Sequence, residues 1–406
     1  MPFQRELLDV LSSCRQDMAA LTERLVRVPT ENPPGRHYRE CVDLLATAIS
    51  ALGFEPRLVE IPPPPGDGER RYALLASHGG GSRTLYFHGH YDVVPASTEG
   101  QFAPYVVDGS LFGRGSSDMK SGLAAMLYAV HAIKACGIEL DGRIGLALVP
   151  DEETGGTLGS RHLADRGLLG IDGIGMLTPE PTSGVIWSAN RGALSLQVTV
   201  RGRPAHVGLQ HQGINAFERM MTVAGMLAEV KAEVEERRTA YAIRPEAAGR
   251  SILLLGGRSD GGTNFNVVPA ECRFTVDRRM NPEEDFQAEK DRLFAVFDRA
   301  RRQGIDLDVD ILQEGHPSGA SEDAPVARAL SSSVEEILGK PPRFEMCPGL
   351  LEIRFYAERN VPAYAYGPGV LAVSHGPREF VKLDAIADCA AVYALTATKL
   401  FARRGR

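Results

Sequence analysis

His90 and Asp92 close the run TLYFHGHYDVVP, Asp118 stands in GRGSSDMK, Glu152 and Glu153 in PDEETGG, Glu180 in TPEPT and His375 in GPGVLAVSHGPREF. Two histidines and three carboxylates without a thiolate make a ligand set for a pair of zinc ions or similar divalent metals, and one carboxylate can bridge them. Ions about 3.5–4 Å apart would clamp a shared water, lower its pKa and stabilise the oxyanion formed as it attacks a carbonyl. Hydrolysis is the chemistry such a set performs. A proton acceptor is also needed, and adjacent Glu152 and Glu153 can divide the work: one carboxylate binds metal while the other stays free as general base. Asp92, two residues past His90, is placed to accept from an imidazole and fix its tautomer.

The elements that must position these residues follow from periodicity. Gln16 to Val28 and Tyr38 to Leu52 read as amphipathic helices, the first stopped by Pro29 and the second by Gly53. IPPPPGDG reads as a loop. The apolar runs YALLAS, TLYFHG, RIGLALVP and GIGMLT read as buried strands, with a long helical pattern, MKSGLAAMLYAVHAIKAC, between the second and third. That alternation predicts an α/β domain with a mostly parallel sheet, in which ligands gather beyond the carboxyl ends of the strands. Each polar cluster falls at such an end.

The middle of the chain changes rhythm. ALSLQVTVRG, a helix from Ile214 to Glu236, SILLLGG, NVVPAECRFTVDRR, a helix from Pro282 to Gln303 and IDLDVDI give the order of a ferredoxin-like α+β unit. The α/β pattern then resumes with a helix from Ala324 to Leu338, the strand VPAYAYG and a helix from Leu383 to Phe401. The expected organisation is a discontinuous catalytic domain, residues 1–190 and 311–406, carrying an insertion at 191–310.

Composition excludes several classes. With 406 residues, 43% hydrophobic and 24% charged, the chain is globular and long enough for two domains. A net charge of −7 without single-sign blocks argues against a nucleic-acid or anionic-membrane partner. Six scattered cysteines form no Cys-x-x-Cys pair, and neither a signal peptide nor a spanning segment is evident, so a cytoplasmic protein is expected. The glycines of GRGSSD fail the dinucleotide pattern because Asp118 occupies the third glycine position. His88 reads as a packed strand residue, and Arg354 taken alone as an exposed helix residue.

Over nearly its whole length, through HGHYDVVP, GRGSSDMKSG, PDEETGG, EPT, RGRPAHVG, NVVPAECRFTVDRR and SHGPREF, the chain resembles the co-catalytic zinc amidohydrolases and exopeptidases. That family includes aminoacylase, acetylornithine deacetylase, succinyl-diaminopimelate desuccinylase and carboxypeptidase G. The resemblance implies an α/β/α catalytic sandwich and a ferredoxin-like lid and dimerisation domain. It implies His90 and Glu180 on one metal, Glu153 and His375 on the other, Asp118 bridging, Glu152 as base and a cis peptide between Asp118 and Met119. It further implies a homodimer in which His206 reaches the partner's site to stabilise the oxyanion, with Asn266 and Arg279 beside it. Arg354 and the GPG ending at Gly369 match the region that holds a substrate carboxylate. Where the family places a small residue, Thr or Ser, then Asp, this chain has Leu350, Leu351 and Glu352. The implied cofactors are two zinc ions, with cobalt or manganese as substitutes, and the implied substrate is a small N-acyl amino acid or a short peptide with a free carboxylate. In that family Glu at the position of Glu180 goes with acylases and carboxypeptidases and Asp more often with aminopeptidases, which tilts the reading towards deacylation, with a carboxypeptidase or dipeptidase as the alternative. The rival from another class is an inactive ligand-binding homologue.

Overall fold

The computed structural model describes residues 3–63 and 68–403, so residues 64–67 of the expected IPPPPGDG loop lie outside it. The chain divides into two compact units. The first takes the chain up to Ser188, Gly319–Glu345 and the chain from Glu352; the second takes Ala189–Ser318 and Met346–Leu351.

The first unit is an α/β/α sandwich around a mostly parallel sheet. Its main departure from expectation is at Arg71–His90, where YALLAS and TLYFHG lie in one long stretch whose register reverses. Leu74 pairs with Leu148 and Ser77 with Gly145, whereas Thr84 pairs with Arg143 and His90 with Val149. Asp141–Val149 therefore runs between two arms of the same segment, opposed to the first and parallel to the second. The reversal needs Gly79 and Gly81, whose φ values of +90 and +104 are open to glycine but strained for other residues. Beyond the second arm come Gly173–Thr178 and then Ala363–Ala365, both parallel to it. Four parallel segments thus end at one edge.

Phe87 turns one sheet face towards the C-terminal helix Leu383–Phe401, meeting Tyr393 edge-on at 4.8 Å. That helix packs on Ser121–Ala135, which is apolar nearly all round because it is buried nearly all round. Tyr86 and His88 point to the other face, where both rings meet Tyr356 of the short helix Ile353–Ala357. The helices Arg15–Arg27 and Tyr38–Ala51 end within a residue of expectation, and Gly53 takes the left-handed conformation of a helix stop.

The second unit is a four-stranded antiparallel sheet in the order Asp306–Gly315, Gly192–Arg201, Glu271–Met280, Ile252–Gly261. With the helices Ala216–Val234 and Phe286–Arg302 it has the expected ferredoxin-like succession, and it closes its own core around Leu196, Val198, Val276, Leu227 and Phe297. Asn215 and Asp285 cap the two helices, so the second starts later than Pro282.

Inside this unit Arg278 is fully buried and bonded to Glu284 and Glu289, and Arg237 bonds to the same two carboxylates. Burial alone would raise the Glu289 carboxyl, but the two guanidiniums outweigh it and hold it below its ordinary 4.5. A depressed carboxyl stabilises the fold above the unfolded value and loses that contribution as pH falls through the folded one. Glu289→Ala is therefore expected to cost about 3 kcal/mol at neutral pH, and the deficit against the parent narrows below pH 4.5. Denaturant unfolding at the two pH values measures both effects.

Candidate metal centre

The expected ligands stand at the end of a strand, in a turn that follows one, or in an irregular turn between elements. His90 is the last residue of the second arm, Glu152 and Glu153 open the turn Glu152–Thr154 after Asp141–Val149, and Glu180 follows Gly173–Thr178. Asp118 sits in the irregular turn Ser116–Lys120 that leads into Ser121–Ala135, with its peptide to Met119 cis. His375 follows the turn Leu371–Val373 and is exposed, its side chain 49% accessible.

The structure brings these residues together as two groups: His90, Asp118 and Glu180, and Asp118, Glu153 and His375. In each, one ligand atom per residue lies within 4.8 Å of the others. Asp118 belongs to both, its Oδ1 3.4 Å from His90 Nε2 and its Oδ2 3.3 Å from His375 Nε2. Glu153 Oε2 is 3.2 Å from His375 Nε2, and Glu180 Oε2 is 4.0 Å from His90 Nε2. Glu152 is in neither group, yet its Oε2 lies 3.9 Å from His90 Nε2.

Whether a cation suits this cluster can be judged from its unsatisfied atoms. Among the described residues, His90 Nε2 and Glu153 Oε1 are buried without a hydrogen-bond partner. His90 Nδ1 donates to the Asp92 carbonyl at 3.0 Å, which leaves the Nε2 lone pair facing the cluster. Burial, reinforced by mutual repulsion, lifts the Glu152 carboxyl far above its usual range and Glu180 to about 8. Burial alone would also raise Asp118, but the imidazoles on either side outweigh it and hold its carboxyl well below the usual range. The same bonds from Asp118 and Glu153 raise His375 to about 11. Crowded buried carboxylates of this kind gain most from a cation, so the donor set fits two divalent ions.

Asp92 does more than orient His90. Its carboxylate also accepts from the backbone N–H groups of Glu152 at 3.2 Å and Glu153 at 3.1 Å, and from Asn32 Nδ2 at 2.8 Å. Asn32 was not singled out from sequence. His88 is buried as expected, but its Nε2 meets Glu352 Oε2 at 2.7 Å. Sequence spacing could not pair residues so far apart.

Residues 86–399 match the sequence pattern of Peptidase family M20/M25/M40. The chain belongs to that family. A probable succinyl-diaminopimelate desuccinylase of Staphylococcus epidermidis is 27% identical over 394 residues, 91% of this chain and 94% of the relative. The succinyl-diaminopimelate desuccinylase of an Azoarcus species is 30% identical over 367 residues, 88% and 91% of the two chains. The fold matches an M20 family metallo-carboxypeptidase from Sulfolobus solfataricus with a TM-score of 0.78 at 16% identity, covering 94% of this chain and 98% of that one. As an M20 member, the chain is a hydrolase of amide bonds.

The substrate-side residues that the M20 resemblance implied are less uniform. In the second unit His206 pairs with Val267, and the Val207 N–H donates to the Asn266 carbonyl, so His206 and Asn266 come together. Arg279 does not join them. It lies at the far end of Glu271–Met280, roughly 26 Å from Glu271 at about 3.3 Å per strand residue, while His206 and Asn266 extend the ladder beyond the Glu271 end. Arg354, read alone as an exposed helix residue, is only 2% accessible. Its Nη2 donates to the Gly155 carbonyl at 2.6 Å, and its guanidinium stacks on Phe355 at 4.2 Å, so part of it serves the turn that carries Glu152 and Glu153. A Cβ on Gly369 would lie 2.2 Å from the Ser117 carbonyl and 2.8 Å from Pro181 Cβ, which places this glycine against the neighbours of two candidate ligands. Leu350 and Leu351 belong to the second unit, where Leu351 is buried.

Proposed function

We propose that this M20 hydrolase removes the acyl group from a small N-acyl amino acid, in the manner of a deacetylase or desuccinylase. The observation that carries the reading is Asp118 shared between two three-residue groups, with the Glu152 carboxylate beside them and in neither. The desuccinylase relatives support the substrate class.

His90, Asp118 and Glu180 would hold one ion, and Asp118, Glu153 and His375 the other, with zinc preferred and cobalt or manganese as substitutes. When bound, such ions lower the pKa of a water and polarise the scissile carbonyl. Glu152 takes the proton of the attacking water and returns it to the leaving amine nitrogen. Asp92 keeps the His90 imidazole and the Glu152–Glu153 turn in register. His206, with Asn266 beside it, reaches into the site of a second copy and donates to the carbonyl oxygen as charge develops on it. Arg354 and the backbone at Gly369 orient the substrate carboxylate, and Arg279 is kept as a further substrate-binding residue.

A homodimer is part of this proposal. His206 and Arg279 are too far apart within one chain to meet one small substrate, and a second copy removes that conflict. Val207, Leu209, Ile214, Phe217 and Met221 are about half exposed on this unit, a patch suited to a second copy. A cytoplasmic location is proposed from the scatter of six cysteines without a Cys-x-x-Cys pair. Among the described residues no helix is long and apolar enough to cross a membrane.

Turnover of N-succinyl, N-acetyl and N-formyl amino acids beside dipeptides, by the zinc-loaded protein, tests the substrate class. An N-acyl substrate is expected to lead by at least about tenfold in kcat/KM. Cleavage of the peptides alone would instead assign the carboxypeptidase or dipeptidase reading.

A further inference from the structure

Two of the candidate ligands stand on irregular backbone. Asp118 lies in a turn with non-helical angles, and His375 takes a left-handed φ of +63, unusual for a side chain other than glycine. No strand ladder or helix fixes either one, yet their Oδ2 and Nε2 are 3.3 Å apart. Something else must hold the two segments in register.

The fully buried pair Arg114 and Glu379 does so. Arg114 comes four residues before Asp118 and Glu379 four residues after His375, and each reaches across to the other ligand's segment. One oxygen of Glu379, Oε1, accepts the backbone N–H groups of Gly115 at 2.9 Å, Ser117 at 3.0 Å and Asp118 itself at 3.0 Å. Its other oxygen accepts from Arg114 Nη1 at 2.6 Å. Arg114 Nη2 then donates to the carbonyl of His375 at 3.1 Å. Ser117 adds a parallel tie, accepting from the Val370 N–H at 2.8 Å. His90 and Glu180, by contrast, follow directly from strands of the parallel sheet.

We propose that Arg114 and Glu379 are positioning residues that set the spacing of Asp118 and His375, and so govern the affinity of the ion held by Asp118, Glu153 and His375 more than that of the other. This rests on the two-ion reading above. Loss of one partner would leave a buried charge unpaired and endanger the fold. The neutral double variant Arg114→Gln/Glu379→Gln and the charge-keeping Arg114→Lys are therefore measured together.

Zinc is titrated calorimetrically into metal-free parent and variants, with circular dichroism reporting the fold of each. The parent is expected to take up two ions. The folded variants keep one near the parent's affinity and bind the second about 10–100-fold more weakly. Folded variants that hold both ions as the parent does, or that weaken both equally, overturn the assignment while leaving the hydrolase reading intact. A parent that takes up no zinc overturns both.

Discussion

Glu152→Gln is expected to lower kcat by about 10²–10⁴-fold while leaving the metal content and the KM of the protein nearly unchanged. The side chain is of equal size, so packing survives, but an amide cannot take a proton from water. Glu152 lies outside both ligand groups, and its backbone N–H is anchored on Asp92, so the substitution disturbs no candidate ligand directly. Its placement 3.9 Å from His90 Nε2 keeps the carboxylate beside the candidate ligands, where it can take a proton from an attacking water. Kinetics with a confirmed substrate, together with elemental analysis of the same preparation, separate the two roles open to the adjacent glutamates. A variant that has lost metal together with activity would make Glu152 a ligand, and one that turns over at the parent's rate would remove it from proton transfer.

Asp118→Asn is expected to have an effect of similar size by a different route. Asp118 alone belongs to both groups, and one neutral amide oxygen cannot bridge two cations. Both sites are therefore expected to empty on dialysis, with turnover lost. Glu180→Gln touches only the His90 group and is expected to leave one ion in place. Counting bound metal in the two variants checks this, and an Asp118→Asn protein that retains two ions would deny the shared role.

The parts legible in the sequence are those with a local pattern. The strand YALLAS, the helix Leu383–Phe401 and the ferredoxin-like succession all announce themselves through periodicity, and the chemistry at 90, 152, 153 and 180 stands out because parallel strands deliver their ends to one edge, while Asp118 and His375 stand out through the motifs around them. Partners distant in sequence leave no such pattern. Nothing local pairs His88 with Glu352, Asn32 with Asp92, or Arg114 with Glu379, although both members of the last pair sit inside motifs noticed for their metal ligands. The same limit explains Arg354, whose short helix looks exposed until Gly155 and Phe355 close over it, and Arg279, whose strand carries it away from His206. The reversal between the two arms of Arg71–His90 depends on which edge of Asp141–Val149 each arm chooses, and alternation along a strand does not encode that choice.

Anomalous diffraction from crystals of the zinc-loaded protein is the most direct test of the metal centre. Two peaks about 3.5–4 Å apart are predicted, one among His90, Asp118 and Glu180 and the other among Asp118, Glu153 and His375. A map with no peak between these side chains, or with zinc bound only elsewhere, would contradict the account.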